Sequence, residues 1–559
     1  MALRNKLPDE IARYPDPVLG INLRMSLEDL EPGYAALLQN CVWDGGVKNR
    51  YGSETVIQTS QGAYRGLGGH RFYYQTTSKA RLAVWNKHLF SVSDTGGLTT
   101  LTNGLTADKD GHFETWSITD AAYYCNEADG LVKVDNTLTL TTVTGTNIPS
   151  TPKMAKPFLD RLFAIQDAVV VASNPRVDTV FATTGSSWSA YRPVGSGGRP
   201  TALHLHSLTG QQGDPLAELL IFQAGSVTAL TGSDFGDDVT QANPPNGWDA
   251  RLRLLDPSIG TESPYSITTV PGLGTFWFTQ HNNVAWLPFN EATPRLIGDR
   301  LVSLNRTDVN GIQLVNTTSR KQVVMFYHDR YLKLCIPVNA TYANVQYWLD
   351  VRSLQNDLNG QQSPQRGFVW YGPMLGQNIG RAWVEDRNGD PEDLMVLEGD
   401  QTLGVYLYRL NVPNLYADAY ASTTVAITPR YTTFYHGFGM PSYEKMMPLV
   451  RVDGQGNINN WTLSVDDLHG ADQVSGMSIT RVNGAAFSYI TYGSGTHYGS
   501  GNNYGASAAP QVGHAFLSNQ GETIPTGDRL AIDIVGTAGR FQVNAIYPQV
   551  QVRKRQPVS

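Results

Sequence analysis

Charge is scarce in this chain. Asp, Glu, Lys and Arg make up 16% of its 559 residues, and 42 basic against 49 acidic side chains leave a net charge of −7. So mild a balance excludes the strongly basic surface by which nucleic-acid binders hold phosphate. It suits a passage along which DNA slides without sticking, and it suits most soluble proteins equally. Cysteine is scarcer still. Cys41, Cys125 and Cys335 are far apart and odd in number, which excludes a disulfide frame and reads as three buried thiols in a reducing compartment. No apolar run reaches the roughly 18 residues of a membrane span, and the first ten residues lack a signal-peptide core. Long helices are disfavoured as well, because Lys and Glu are few while Gly (55), Pro (30) and Tyr (27) are plentiful.

Reactive motifs are missing in the same way. The sequence has no Gly-x-Ser-x-Gly elbow, no His-Glu-x-x-His pair and no Walker phosphate loop. His204 and His206 stand two apart in a strand-like stretch, so both point to one face, but no third metal ligand lies near in sequence. Asp386, Asn388 and Asp390 imitate the start of a calcium loop. The sixth position is Pro391 and the twelfth Leu397, so a surface turn is the expectation. Ser93-Asp-Thr-Gly-Gly97 is the nearest approach to a sialidase Asp-box, occurs once, and lacks the tryptophan. No catalytic residue, cofactor or metal site is therefore expected.

What the chain does contain is a hairpin written seven times. Its clearest copy is Arg161 to Asn174, where one apolar run enters a turn at Gln166-Asp167 and a second leaves it. The others run from Leu82 to Val92, Tyr123 to Val134, Leu219 to Leu230, Phe276 to Leu287, Val323 to Ile336 and Leu394 to Tyr408. Rich in Val, Ile, Phe, Tyr and Trp, these runs suit a pleated, half-buried surface. The copies begin near residues 81, 121, 161, 218, 274, 322 and 393, a spacing of propeller blades stretched by insertions. The expected fold is mainly β. A β-propeller of six or seven blades occupies residues 53–425, with room for a small inserted β domain. The first strand of the propeller is a candidate to close its last blade.

Residues 1–52 read as a separate opening arm. Prolines 8, 15 and 17 keep its start extended, Ser26 to Asp29 looks like a capped helix start, and Asn40 to Trp43 reads as a strand. A helical interlude is expected over Ile297 to Leu314, where Ile297, Leu301 and Leu304 have helix spacing. From 426 to 559 the rhythm becomes period two, as in an antiparallel β-sandwich or jelly-roll. Within it, residues 484–513 are dominated by Gly, Ser, Tyr and Asn and read as an exposed loop. Its Tyr492, Tyr498 and Tyr504 are candidate partner contacts, as are the basic terminal residues Arg553, Lys554 and Arg555.

The opening arm carries a dense motif: Gly20-Ile-Asn, Arg24, Leu27, Leu30, Pro32-Gly-Tyr-Ala35, Leu38, Asn40, Trp43-Asp-Gly-Gly46, Arg50 and Gly52. It resembles the start of many bacteriophage tail structural proteins, in which an Arg-x-Gly leads into the first propeller blade. The order of later features, from Arg65-Gly66 to the closing strand Arg540 to Val552, is similar to that of the tail nozzle (hub) protein of short-tailed phages. The resemblance implies a virion structural protein assembled in the host bacterial cytoplasm. It further implies a ring of six subunits below the head-to-tail adaptor, enclosing the DNA exit channel and docking tail fibres or a tail needle or plug. The alternative is a carbohydrate-binding or glycoside-cleaving propeller acting on the host surface.

Overall fold

The computed structural model describes residues 10–553 except 12, 60–63, 75–77, 182–189, 196, 208–216, 233–250, 290, 305, 355–366, 388–389, 421–422, 439–443, 457, 469–473, 479, 482–510, 517–525 and 528. Strands dominate them, and seven four-stranded antiparallel sheets follow one another along the chain. Blades 1 to 6 begin with Gly66–Tyr74, His112–Trp116, Ala155–Phe158, Pro200–Ser207, Thr268–Val270 and Val324–His328. Blade 7 takes Ile379–Arg387, Asp390–Glu398 and Val405–Val412, and its outer strand is Gly52–Thr59 from the start of the propeller. The first strand thus closes the last blade, and the fold is a seven-bladed β-propeller.

The hairpin repeat maps onto this ring with one shift of phase. Six copies are the second and third strands of their blades. The sixth in chain order, Val323 to Ile336, is the first and second strands of blade 6. Its partner strand Val345–Asp350 is equally apolar and fully buried, so hydrophobicity alone could not fix the phase. The turns are made by Asn86, Asp167, Asn282 and Asp329 at φ between 50° and 57°, a left-handed backbone that Asn and Asp tolerate better than other side chains. The seventh copy builds blade 7, not an inserted domain.

Between successive blades the apolar faces form separate layers. One example is the wedge of Ala83, Trp85, Phe90, Trp383, Met395 and Leu407 that joins blade 7 to blade 1. The layer between blades 5 and 6 is larger, because it runs on into the interior of a β-sandwich. That sandwich pairs Glu444–Gly456 with Phe541–Arg553 in one sheet, and Arg430–Thr433, Leu530–Gly536 and Trp461–Asp467 in the other. Trp461–Asp467 alternates buried and half-buried residues along its whole length, as a strand with one face on the core must.

The described residues of the opening arm do not stand apart. Ala35–Gln39 pairs with Arg430–Thr433, Val47–Asn49 pairs with Phe541–Arg553, and Glu10–Ile11 pairs with the same long strand. The opening arm therefore completes the sandwich formed by the end of the chain, a pairing between segments some 400 to 540 residues apart that no local pattern announces. Two expected helices are absent. Ser26 caps a turn, its Oγ accepting the Asp29 amide at 3.3 Å, but Pro32-Gly33 follows before a helix can propagate. The described residues of Ile297 to Leu314 form only 3-10 turns, at Asp299–Leu301 and Ile312–Leu314. Ile297 and Leu301 are buried while Leu304 is 69% exposed, so their spacing anchors a linker and does not mark a helix face. Among the described residues no helix is long and apolar enough to cross a membrane.

Candidate functional site: the propeller axis and the seam cleft

The first strands of the blades surround the propeller axis, and polar pairs stitch neighbours together there. His70 of blade 1 meets Thr115 Oγ1 of blade 2 at 2.7 Å, Lys156 of blade 3 meets Glu114 of blade 2 at 2.7 Å, and His204 of blade 4 meets Thr269 of blade 5 at 2.7 Å. His206 meets Thr275 Oγ1 at 3.0 Å. The two histidines that share a face thus serve the contact between blades 4 and 5. Burial pushes His70 down to about 4 and His204 to about 3, with the Lys156 ammonium adding to both.

One end of the axis is closed by a knot of side chains from the entries to blades 1, 2, 5, 6 and 7. Tyr265, leading into blade 5, donates its hydroxyl to Gly111 O at 3.2 Å beside blade 2, across the axis. His112 stacks on the Tyr265 ring at 4.3 Å between centroids, and the Arg381 guanidinium lies 3.5 Å from the ring centre. Asp110 accepts Arg65 at 2.8 Å and pairs with Arg381 at 2.5 Å, while Gln322 bridges all three groups. The two guanidinium groups hold the Asp110 carboxyl below the usual carboxylate range against the opposing effect of burial. Each charge is matched where it stands, as buried charges must be. A cavity of about 420 Å³ lies beside Tyr265, walled by the first strands of blades 5 to 7.

The second feature is the seam between propeller and sandwich. Arg50 is buried there and grips Asp418 through both guanidinium nitrogens, one of them at 2.9 Å. Arg50 also donates to Asn40 Oδ1 (3.1 Å), Tyr51 O (3.1 Å) and Leu375 O (2.6 Å). Asn40 in turn accepts the Leu375 amide at 2.7 Å and donates to Thr428 O at 3.1 Å, and Gln377 donates to Asp418 at 2.9 Å. Gly52 can only be glycine, because an added Cβ would sit 1.9 Å from Ala417 O. Gly20, at φ +71°, presses against the Trp370 backbone of blade 6, whose carbonyl accepts the Ile21 amide at 2.9 Å. Gly20, Asn40, Arg50 and Gly52 of the opening motif are thus the parts that bolt the sandwich to blades 6 and 7.

Beside this bolt lies a cleft of about 470 Å³, between the Cys41–Trp43/Val47–Asn49 hairpin and blades 6 and 7. Asp44 accepts Lys48 at 3.2 Å and Arg330 at 3.1 Å on one side. Arg409 lies 3.5 Å from Asp393 on the other and also pairs with Glu54. His328 in its wall contacts Glu392 O at 2.9 Å through Nε2 and Asn411 at 3.4 Å through Nδ1. Burial pushes it down to about 4, so near neutrality the ring is uncharged, with Nε2–H as donor and Nδ1 as acceptor. Behind the wall, the Lys333 ammonium sits 4.1 Å from the Trp348 ring centre with no hydrogen-bond partner among the described residues, and burial brings it down to about 7.

Of the residues singled out from the sequence as partner contacts, Tyr492, Tyr498, Tyr504, Lys554 and Arg555 lie outside the described residues. Arg553 ends a sandwich strand, opposite Glu444, and its side chain is likewise outside them. So are the side chains of Asp386, Asn388 and Asp390. Asp94 of the Asp-box-like turn is spent on Arg71 (3.2 Å) and Arg81 (3.3 Å) within blade 1. Among the described residues no three His, Cys, Asp or Glu side chains gather as metal ligands. The cleft escaped sequence reading because its walls come from three distant segments. Its only local trace is the charged run His328-Asp-Arg330 at a hairpin turn.

These features define a seven-bladed propeller bolted to a β-sandwich through its own N-terminal arm. No protein-family model matches the chain, and no curated protein matches it. Among solved structures, virginiamycin B lyase from Staphylococcus aureus aligns with 11% identity and a TM-score of 0.39, over 64% of this chain and 98% of that one. A streptogramin B lyase structure aligns with 8% identity and a TM-score of 0.39, over 65% and 98%. The computationally designed Ika8 protein aligns with 7% identity and a TM-score of 0.35, over 64% and 100%. Likeness of this degree carries no argument about activity or partners.

Proposed function

We propose that the protein is a structural subunit of a short-tailed phage tail: a nozzle, or hub, that forms a ring around the DNA exit channel. In this reading six copies stand below the head-to-tail adaptor and carry tail fibres or a needle. The observation that carries the proposal is the seam. The motif residues that resemble phage tail proteins, Gly20, Asn40, Arg50 and Gly52, are the ones that lock sandwich and propeller together. A part that must hold its shape while DNA passes needs such a lock.

The closed axis sharpens the geometry. With Tyr265, His112, Arg381 and Asp110 knotted across it, duplex DNA cannot thread the propeller itself, so the channel of this proposal lies between subunits. Rings of this kind come from heterologous contacts whose rotation closes. Immunogold labelling of the virus particles tests the assignment. Gold is expected at the tail, and particles that assemble and infect without the protein would overturn it.

A further inference from the structure

We infer that the cleft between blades 6 and 7 and the sandwich binds a neutral oligosaccharide. Clefts where two domains meet are common ligand sites, and at about 470 Å³ this one has room for two or three sugar rings. The lining side chains are of both signs, four carboxylates against four cations, so no run of one charge selects an ion. Most of those charges are already engaged. Asp44 holds Lys48 and Arg330, Arg409 lies against Asp393, and Arg50 is consumed by Asp418.

Two carboxylates, Asp329 and Glu392, line the cleft and form no ion pair among the described residues, and Asn411 lines it with them. Acceptors and donors therefore stand together on fixed strands and hairpin turns. A hydroxyl both donates and accepts, so a polyhydroxylated ligand can use both kinds at once. At the lip, Tyr51 is 40% exposed and its ring is steadied by Tyr416 at 5.9 Å between centroids. An exposed ring held in place gives the C–H face of a sugar an apolar surface to lie on. Binding is inferred here, not cleavage, and it stands independently of whether the protein forms a ring.

Saturation-transfer NMR on the full chain tests this with hexaoligosaccharides of glucose, N-acetylglucosamine, galactose and mannose as probes. Oligogalacturonate and spermidine serve as the anionic and cationic controls. At least one neutral probe is expected to show transfer, weakened tenfold or more by Tyr51→Ala and by Glu392→Gln. Both positions are exposed, so thermal melting of the two variants should match the parent and separate lost binding from lost folding. No transfer from any neutral probe would overturn the inference. So would transfer undiminished in both variants, or transfer from a charged control alone.

Discussion

Arg50 illustrates how much one side chain can hold. It ties the N-terminal arm to the link between blades 6 and 7 and to the Asp418 hairpin, all in a buried setting. Removing one partner of such a pair leaves the other charge stranded and costs about 3–5 kcal/mol. Arg50→Ala and Asp418→Ala are each expected to lower the melting temperature by several degrees, while the combined Arg50→Met/Asp418→Leu replacement costs less than either, as calorimetry can establish. Gly20→Val has no room beside Trp370 O, where its Cβ would lie at 2.1 Å, and should yield mostly insoluble protein. Six histidines set the acid response, His436 among them with burial pushing it down. Burial holds His70, His206 and His328 down to about 4, and His112 and His204 to about 3. Unfolded chains take up these protons as pH falls through about 6.5, while the native state resists until about 4. The stability these histidines contribute is therefore complete above about 6.5 and drains away as pH falls towards about 4. Glu398, held up at about 7 by burial, and Asp466, also raised by burial, work in the opposite direction but are two groups against six. Melting at pH 5 should come lower than at pH 7.5, on the order of 5 °C or more. A flat or rising profile would contradict the buried, neutral histidines.

Among the elements, Gly52–Thr59 matters most, because it closes the ring of blades with a strand from the opposite end of the propeller. Ile57 of this strand is buried in the wedge between blades 7 and 1. Ile57→Asp should open that wedge, and hydrogen exchange should show blades 7 and 1 losing protection together while blades 3 and 4 keep theirs. Uniform loss, or none, would show that closure does not depend on this strand. The blades themselves were legible in the sequence because each pair of apolar strands brackets a turn, a signal confined to a dozen residues. The phase of blade 6 was not, since all its strands are apolar. The sandwich was half legible. Its C-terminal strands alternate visibly, but its N-terminal strands pair with partners hundreds of residues away. The seam was visible only as a motif without a location, for Arg50 finds Asp418 through the fold and not through spacing.

At the scale of the whole molecule, propeller and sandwich share one apolar core through blades 5 and 6, and the Arg50 network locks their outer contact. Such a body moves as a unit, which is what a ring subunit around a DNA channel requires. The central claim is that copies of it close into a ring whose hole lies between subunits. Negative-stain electron microscopy of the purified protein at increasing concentration, with mass determined by light scattering, tests that claim most directly. The prediction is a closed ring with a central hole and a mass near six times 61.2 kDa. A stable 61.2 kDa monomer that cleaves polysaccharide would contradict it.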